Sequence, residues 1–358
     1  MGASEVLEGR FSLAGGRLHV DAVLEDAASV RNLGTIHASG PAGDMLPLAQ
    51  TIARAIEPGA RRLPTGNSAA FTAYIAAIES NAPAEADAGF DSAVGADPGF
   101  GAAYLGWVQS LLARGDGTRA AQLLAAARQR SAGFQTLERV ELDLAAATIA
   151  GDRAGERRAL VALIGADPSD ASVYSTLSDL DAADHSYRDA AASYQKAFER
   201  DPANVLLLNQ LGYLRAWAGD LDGAVEALER YRSLRPEEAN PSDSLGDVNY
   251  WFGRFDDAER AYRAAYAKDP SFEGGAELYK LAWSRLMQGD LKGADGAFAD
   301  FLQARKTAGD ALVEYRQAQW EYLTGRHREA VARLDRFASS AQAGEASVSY
   351  AQLAIWAA

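Results

Sequence analysis

Cysteine is absent from the 358 residues, which excludes a disulfide framework, a thiol nucleophile and any zinc site built on Cys ligands. Histidine is scarce. His19, His37, His185 and His327 stand alone, and no two share metal-ligand spacing. No apolar run reaches the roughly 18 residues of a membrane span, and no signal-peptide pattern opens the chain. Cationic residues are outnumbered, 35 Lys and Arg against 49 Asp and Glu, for a formal net charge of −14. That balance argues against non-specific binding to nucleic acid or to an anionic membrane, and reads as the solvated surface of an extended protein. No Gly-rich phosphate cradle stands between a strand and a helix, and no GxSxG elbow occurs. With no catalytic constellation and no cofactor motif, the chain reads as a non-enzyme with no cofactor.

What is present is a period. Pro168, Pro202, Pro236 and Pro270 recur every 34 residues, and Pro98 lies close to two further periods upstream. A fixed repeat of this size signals one supersecondary unit copied along the chain. Residues 171–204 show the unit. Tyr174, Leu177, Ser178 and Asp181 mark one helical face, and Tyr187, Ala190, Tyr194, Ala197 and Phe198 mark a second. Asp201-Pro202 then ends the second helix, because the residue before Pro is pushed out of the αR region. Two helices of about 13 residues, each about 20 Å long, make the unit.

The same register places units at 67–100, 101–134, 137–170, 171–204, 205–238, 239–272, 275–308 and 311–344, with a terminal helix at 345–358. Gly115, Gly151, Gly219, Gly253, Gly289 and Gly325 fall where the turn between helices needs φ > 0. Ala120, Ala190, Ala224, Ala258, Ala294 and Ala330 fall where the second helix must approach the first closely. Unit 137–170 departs, with Glu156 at that position.

These positions resemble the tetratricopeptide repeat, in which position 8 is small, position 20 is Ala, 24 and 27 are apolar and 32 is Pro. The resemblance covers about four fifths of the chain. It implies a mainly α fold: a right-handed superhelix, an α-solenoid of about eight repeats plus a terminal helix. The terminal helix ends on Leu353, Ile355 and Trp356 rather than a polar cap, so residue 358 reads as a cut through a longer protein.

Residues 1–60 change period from 3.6 to 2. Leu7, Gly9, Phe11 and Leu13 alternate with Val6, Glu8, Arg10 and Ser12; Ala14-Gly15-Gly16-Arg17 turns the chain; Leu18, Val20, Ala22 and Leu24 return it. A third strand fits 29–39, and Asp44 is placed to cap a helix carrying Leu48, Ile52 and Ile56. The expectation is a small N-terminal α/β domain of three strands and a helix, joined by a linker at 61–66 to the array at 67–358. Its sheet, GG turn and helix running straight into repeats resemble the extracytoplasmic region of bacterial membrane-anchored Ser/Thr kinases or winged-helix regulators. That resemblance implies a signalling context, periplasmic if a membrane helix precedes this segment and cytoplasmic otherwise. It carries over no kinase or DNA-binding activity.

In the tetratricopeptide family, first-helix positions 2, 5, 9, 12 and 13 line a concave groove. The resemblance therefore implies partner contacts at Asn209, Tyr213, Trp217, Asp243, Asp247, Tyr250, Trp251, Tyr279, Trp283, Tyr315 and Gln319. Aromatic rings with one polar tip give large contact area at low entropy cost. The arrangement that grips a chaperone's C-terminal carboxylate does not fit, because its positions hold Asn209, Tyr213, Ser244, Ala276 and Lys280, of which only the last matches. The expected function is a non-catalytic scaffold or sensor that binds a protein or peptide, without nucleic acid and without inserting this segment into a membrane. A carbohydrate or small-ligand sensor, or an envelope scaffold for polymer or pilus export, remain open beside it. Oligomeric state is not readable.

Overall fold

Proline and left-handed glycine punctuate the chain into short helices, and packing pairs those helices. The computed structural model describes residues 5–27, 29–57 and 63–357. Strands β1 (Glu5–Ala14), β2 (Arg17–Asp26) and β3 (Asn32–Pro41) form an antiparallel sheet in the order β1-β2-β3. Leu7, Phe11 and Leu13 face Leu24, Val20 and Leu18 across the first pair. Ala22 and Gly40 on the same face lie opposite Gly9 and Leu18.

Helix α1 (Leu46–Ile56) lies on that face, with Leu48 against Gly40. Its N-cap is Met45, whose side chain makes no capping bond, so the expected Asp44 cap is not formed. The Asp44 carboxylate instead accepts a hydrogen bond from the Ser68 hydroxyl at the start of the repeats.

The repeats follow as α2 (Ser68–Glu79) and α3 (Pro83–Ala96), α4 (Gly101–Ala113) and α5 (Gly117–Gln129), α6 (Thr136–Ala150) and α7 (Arg153–Ala166), and α8 (Ala171–Ala183) and α9 (Tyr187–Arg200). Next come α10 (Leu206–Trp217) and α11 (Leu221–Leu234), α12 (Asn240–Trp251) and α13 (Phe255–Lys268), α14 (Ala276–Met287) and α15 (Leu291–Thr307), and α16 (Val313–Leu323) and α17 (His327–Ser340), with α18 (Ala343–Ala357) last. The architecture is mainly α, a tandem array of tetratricopeptide-type helical hairpins behind a small three-stranded sheet. No described helix is long and apolar enough to cross a membrane.

The turn chemistry repeats. Gly115, Gly151, Gly219, Gly253, Gly289 and Gly325 all take left-handed φ between 64° and 84°. The following aspartates Asp116, Asp152, Asp220 and Asp290 cap the second helix through backbone N–H groups three residues on. Ala120, Ala190, Ala224, Ala258, Ala294 and Ala330 are fully buried. Where Glu156 breaks that series, the close approach is made one residue earlier. Gly155 sits so near Ala147 that an added Cβ would lie 3.0 Å from the Ala147 methyl, and Glu156 stays half-buried.

Two compact units divide the chain, one running to Leu180 and including Glu199–Ala203, the other comprising Asp181–Phe198 and Asn204 onward. The first unit centres on Phe90, Phe100, Tyr104, Leu111 and Leu142, all but sealed from solvent. Of the expected linker, residues 61 and 62 lie outside the described residues. The remainder is pinned: Leu63 N–H donates to Gln50 Oε1, Gln135 Nε2 donates to the Leu63 carbonyl, and the Thr65 hydroxyl donates to Asp97. The second unit centres on Leu211, Leu228, Tyr231, Tyr262, Phe298, Trp320 and Leu334.

Candidate functional site

Equivalent positions of successive repeats bring aromatic rings together in the second unit. Trp217 ends α10 and Trp251 ends α12, 34 residues on, and their rings stack with centroids 6.2 Å apart and planes 23° apart. Both remain about half exposed, 50% and 49%. Tyr213 stands one helical turn before Trp217 and touches both indoles, at 6.0 and 5.5 Å. Tyr187 adds a fourth ring against Trp217 at 5.5 Å.

Beneath these rings lies a buried polar cluster. The Tyr213 hydroxyl is 3.1 Å from Asp247 Oδ2, and the Tyr262 hydroxyl donates to Asp247 Oδ1 at 2.9 Å. Lys280 Nζ donates to both Asp243 oxygens, at 2.8 and 2.7 Å, and lies 3.1 Å from Asp247 Oδ1. Tyr262 also presents its ring to the Lys280 ammonium, 5.6 Å from the centroid. Asp247 thus fixes two phenols and one ammonium from three successive repeats.

Burial dominates the electrostatics. It pushes the Asp243 carboxyl up to about 6, with Asp247 repulsion adding to the shift and Lys280 opposing it. Burial likewise raises the Tyr213 and Tyr262 hydroxyls, reinforced by Asp247. Lys280 is held above its ordinary value: burial works against its charge, and Asp243 and Asp247 outweigh it. Glu277 is 1% exposed and, among the described residues, neither carboxylate oxygen has a hydrogen-bond partner; burial pushes it up to about 7.

Two concavities open beside the cluster. One of about 340 Å³ is lined by Asp247, Tyr250, Trp251, Tyr262, Tyr279, Lys280 and Trp283. Another of about 440 Å³ has Tyr279, Phe298, Arg316, Gln319, Trp320, Tyr322, Gln352 and Trp356 among its walls. Tyr279 serves both. In the second, Tyr322 and Trp356 stack in parallel at 4.2 Å, and Gln319 Nε2 donates to the Tyr315 hydroxyl, which donates to Gln352 Oε1.

The eleven residues named from sequence therefore separate into groups. Tyr213, Trp217 and Trp251 share one aromatic cluster over Asp247, while Tyr250, Tyr279 and Trp283 join Trp251 around the first concavity. Gln319 lines the second, and Tyr315 holds it in place. Asp243 is 3% exposed and bound to Lys280, so it supports the surface from below instead of presenting a carboxylate to a partner. Asn209 holds a buried Oδ1 that takes no hydrogen bond from the described residues. Sequence reasoning did not place Tyr262, Glu277 or Gln352 at the site, and met Lys280 only as the one matching position of the carboxylate-gripping arrangement. Only Lys280 had a visible signal, a cation in the first helix of the repeat after the one whose first helix carries Asp243 and Asp247.

No protein-family model matches the chain. A TPR repeat-containing protein of Pseudomonas aeruginosa is 38% identical over 80 residues, 22% of this chain and 14% of that relative's length. Among solved structures, a tetratricopeptide repeat protein from Parabacteroides merdae superposes with a TM-score of 0.48 at 13% identity, covering 71% of this chain and 97% of that one. A MamA protein gives 0.42 at 21% identity, with 49% and 94% covered. Yeast Tom70 gives 0.43 at 17% identity, with 82% and 63% covered.

Proposed function

We propose that this chain, built on repeats of the tetratricopeptide type, is a non-catalytic module that holds a protein partner, presenting the Trp217–Trp251 surface to an extended peptide segment. The observation that carries this reading is the exposure of two stacked indoles above the hydrogen-bonded Tyr213–Asp247–Tyr262–Lys280 cluster. Large aromatic side chains left half in water, but fixed by their neighbours, offer contact area with little ordering cost. Asp247, Tyr262 and Lys280 hold Tyr213 from below, so the surface is preorganised before a partner arrives.

The extracytoplasmic signalling context suggested by the N-terminal sheet belongs to the same proposal. There the array would read a partner on behalf of a larger membrane-anchored protein.

A second reading rests on the 440 Å³ concavity, where the Tyr322–Trp356 stack stands beside the side-chain amides of Gln319 and Gln352. Parallel rings with adjacent amides suit a sugar or another small polar ligand.

Peptides selected on the whole chain from a displayed random library provide the test. Binders should lose about 2–4 kcal/mol of affinity to the chain carrying both Trp217→Ala and Trp251→Ala. Unchanged affinity with an intact helical circular dichroism spectrum would remove the peptide reading. Glycan-array binding that is lost in Trp356→Ala and kept in the double indole variant would favour the second.

A further inference from the structure

Strand β1 is an edge strand, and all ten of its residues are exposed. Natural proteins usually blunt such an edge, because its unpaired N–H and C=O groups form a template for another strand. Here the edge is long and carries apolar side chains. Phe11 is 78% exposed and Leu13 66%. They share a face with Val20 and Leu18 of β2, whose neighbours Ala22 and Ile36 are buried. Helix α1 roofs that face over β3, where Leu48 meets Gly40, and the roof stops short of β1.

The hairpin determines which backbone groups are free. Gly15 and Gly16, at φ 58° and 73°, form a two-residue loop, so Ala14 and Arg17 are a hydrogen-bonded pair. Alternation along the ladder then turns the N–H and C=O groups of Leu7, Gly9, Phe11 and Leu13 toward the open edge. A strand added antiparallel must match that parity.

We propose that the occupant is a second copy of this chain, pairing β1 with β1 across a two-fold axis through Gly9. Charge selects this register. An axis at Glu8 sets Glu8 against itself, and an axis at Arg10 sets Arg10 against itself. An axis at Leu7 or Phe11 leaves both charges facing uncharged residues. Only the axis at Gly9 sets Glu8 opposite the other copy's Arg10, twice, while Leu7 faces Phe11, twice. The polar face then carries a continuous ladder, because Arg10 already lies 4.0 Å from Asp21, and Asp21 lies 2.7 Å from His37. The apolar faces of the two sheets fall on the same side, covering Phe11 in both copies. Such an interface is isologous and closes at two subunits.

Sedimentation equilibrium of the full chain across the micromolar range tests this. A monomer–dimer equilibrium is expected, with Phe11→Lys abolishing it. Glu8→Arg alone should weaken association about tenfold or more, since it puts like charges opposite each other in two places. Combining Glu8→Arg with Arg10→Glu should recover most of the lost association, falling short of the wild-type constant because Arg10→Glu also sets a carboxylate opposite Asp21. All three substituted side chains are exposed, so an unaltered circular dichroism spectrum accompanies each variant. A monomer at every concentration overturns the proposal, as does a dimer indifferent to Phe11→Lys or one that the charge exchange does not rescue.

Discussion

Lys280 reaches back one repeat to Asp243, placing its Nζ within 2.8 Å of both carboxylate oxygens, one at 2.8 and the other at 2.7 Å. Asp243 is 3% exposed, and Lys280 is its ion-pair partner among the described residues. Replacing Lys280 with Met should therefore destabilise the second unit by about 3–5 kcal/mol, the usual consequence of leaving one member of a buried pair alone. Adding Asp243→Asn should recover part of that loss, because the orphaned charge is then removed as well. Urea unfolding of the two single variants and the double variant measures the coupling. Strict additivity would show that the pair does not hold these repeats together.

Glu277 gives the opposite sign. Its folded pKa, about 7 against an ordinary 4.5, means that the folded state binds the proton more tightly than the unfolded chain does. The associated stability is complete below the unfolded value and is lost as pH rises through the folded one, so it fades between about pH 4.5 and 7. Asp243, raised to about 6, acts in the same direction. Asp310, depressed to about 2 where Leu312 N–H, Arg305 and Arg316 outweigh burial, acts in the reverse direction at lower pH, outside this window. Glu277→Gln should be more stable than the parent at pH 8 by on the order of 2–3 kcal/mol and show a flatter pH profile. Equal slopes for parent and variant between pH 5 and 8 would refute it.

Much of the array was legible because its signals are local. Pro202 and Pro236 stop helices by backbone sterics, and Gly219 or Gly289 adopts a left-handed turn wherever it stands. The strand alternation around Phe11 likewise identifies its face without any knowledge of neighbours. The buried cluster was not legible for a converse reason. Asp243 and Lys280 lie 37 residues apart, and nothing in either helix says which of its polar positions the next repeat will cover. Asp243 occupies a groove-lining position of the repeat pattern, so the pattern alone made it a partner contact. Lys280, reaching back from α14, made it a foundation.

Two glycines separate packing from propensity. At Gly246 an added Cβ would lie 2.3 Å from Tyr262 Cε1, in the ring that also anchors Asp247. Gly296, within α15, has nothing near its missing side chain. Gly246→Ala should cost about 1–3 kcal/mol through overpacking. Gly296→Ala should gain about 0.8 kcal/mol from helix propensity. Thermal unfolding of both variants checks the pair of signs. A stabilising Gly246→Ala would mean that Tyr262 can yield, and that the Asp247 network is looser than its geometry implies.

His185 stands where six other repeats place a left-handed glycine, and it takes φ 60° to make the same turn. The backbone closes as it does elsewhere: His185 N–H donates to the Ala182 carbonyl, and Ser186 N–H to that of Asp181. An L-residue pays about 1–2 kcal/mol for this conformation, and glycine escapes that cost while losing more entropy on folding. The imidazole offsets some strain through Nδ1, 2.7 Å from the Tyr187 hydroxyl, but this contact is exposed. His185→Gly should therefore stabilise the fold by up to about 1 kcal/mol. His185→Val, branched at Cβ, should destabilise it by more than that margin. Tyr187 packs on Trp217, so partner affinity in the glycine variant reads out whether His185 is retained for the aromatic surface. A more stable protein with weaker binding would show that the strain at this turn orients Tyr187. A destabilised glycine variant would show that the imidazole contributes more to the turn than its backbone conformation costs.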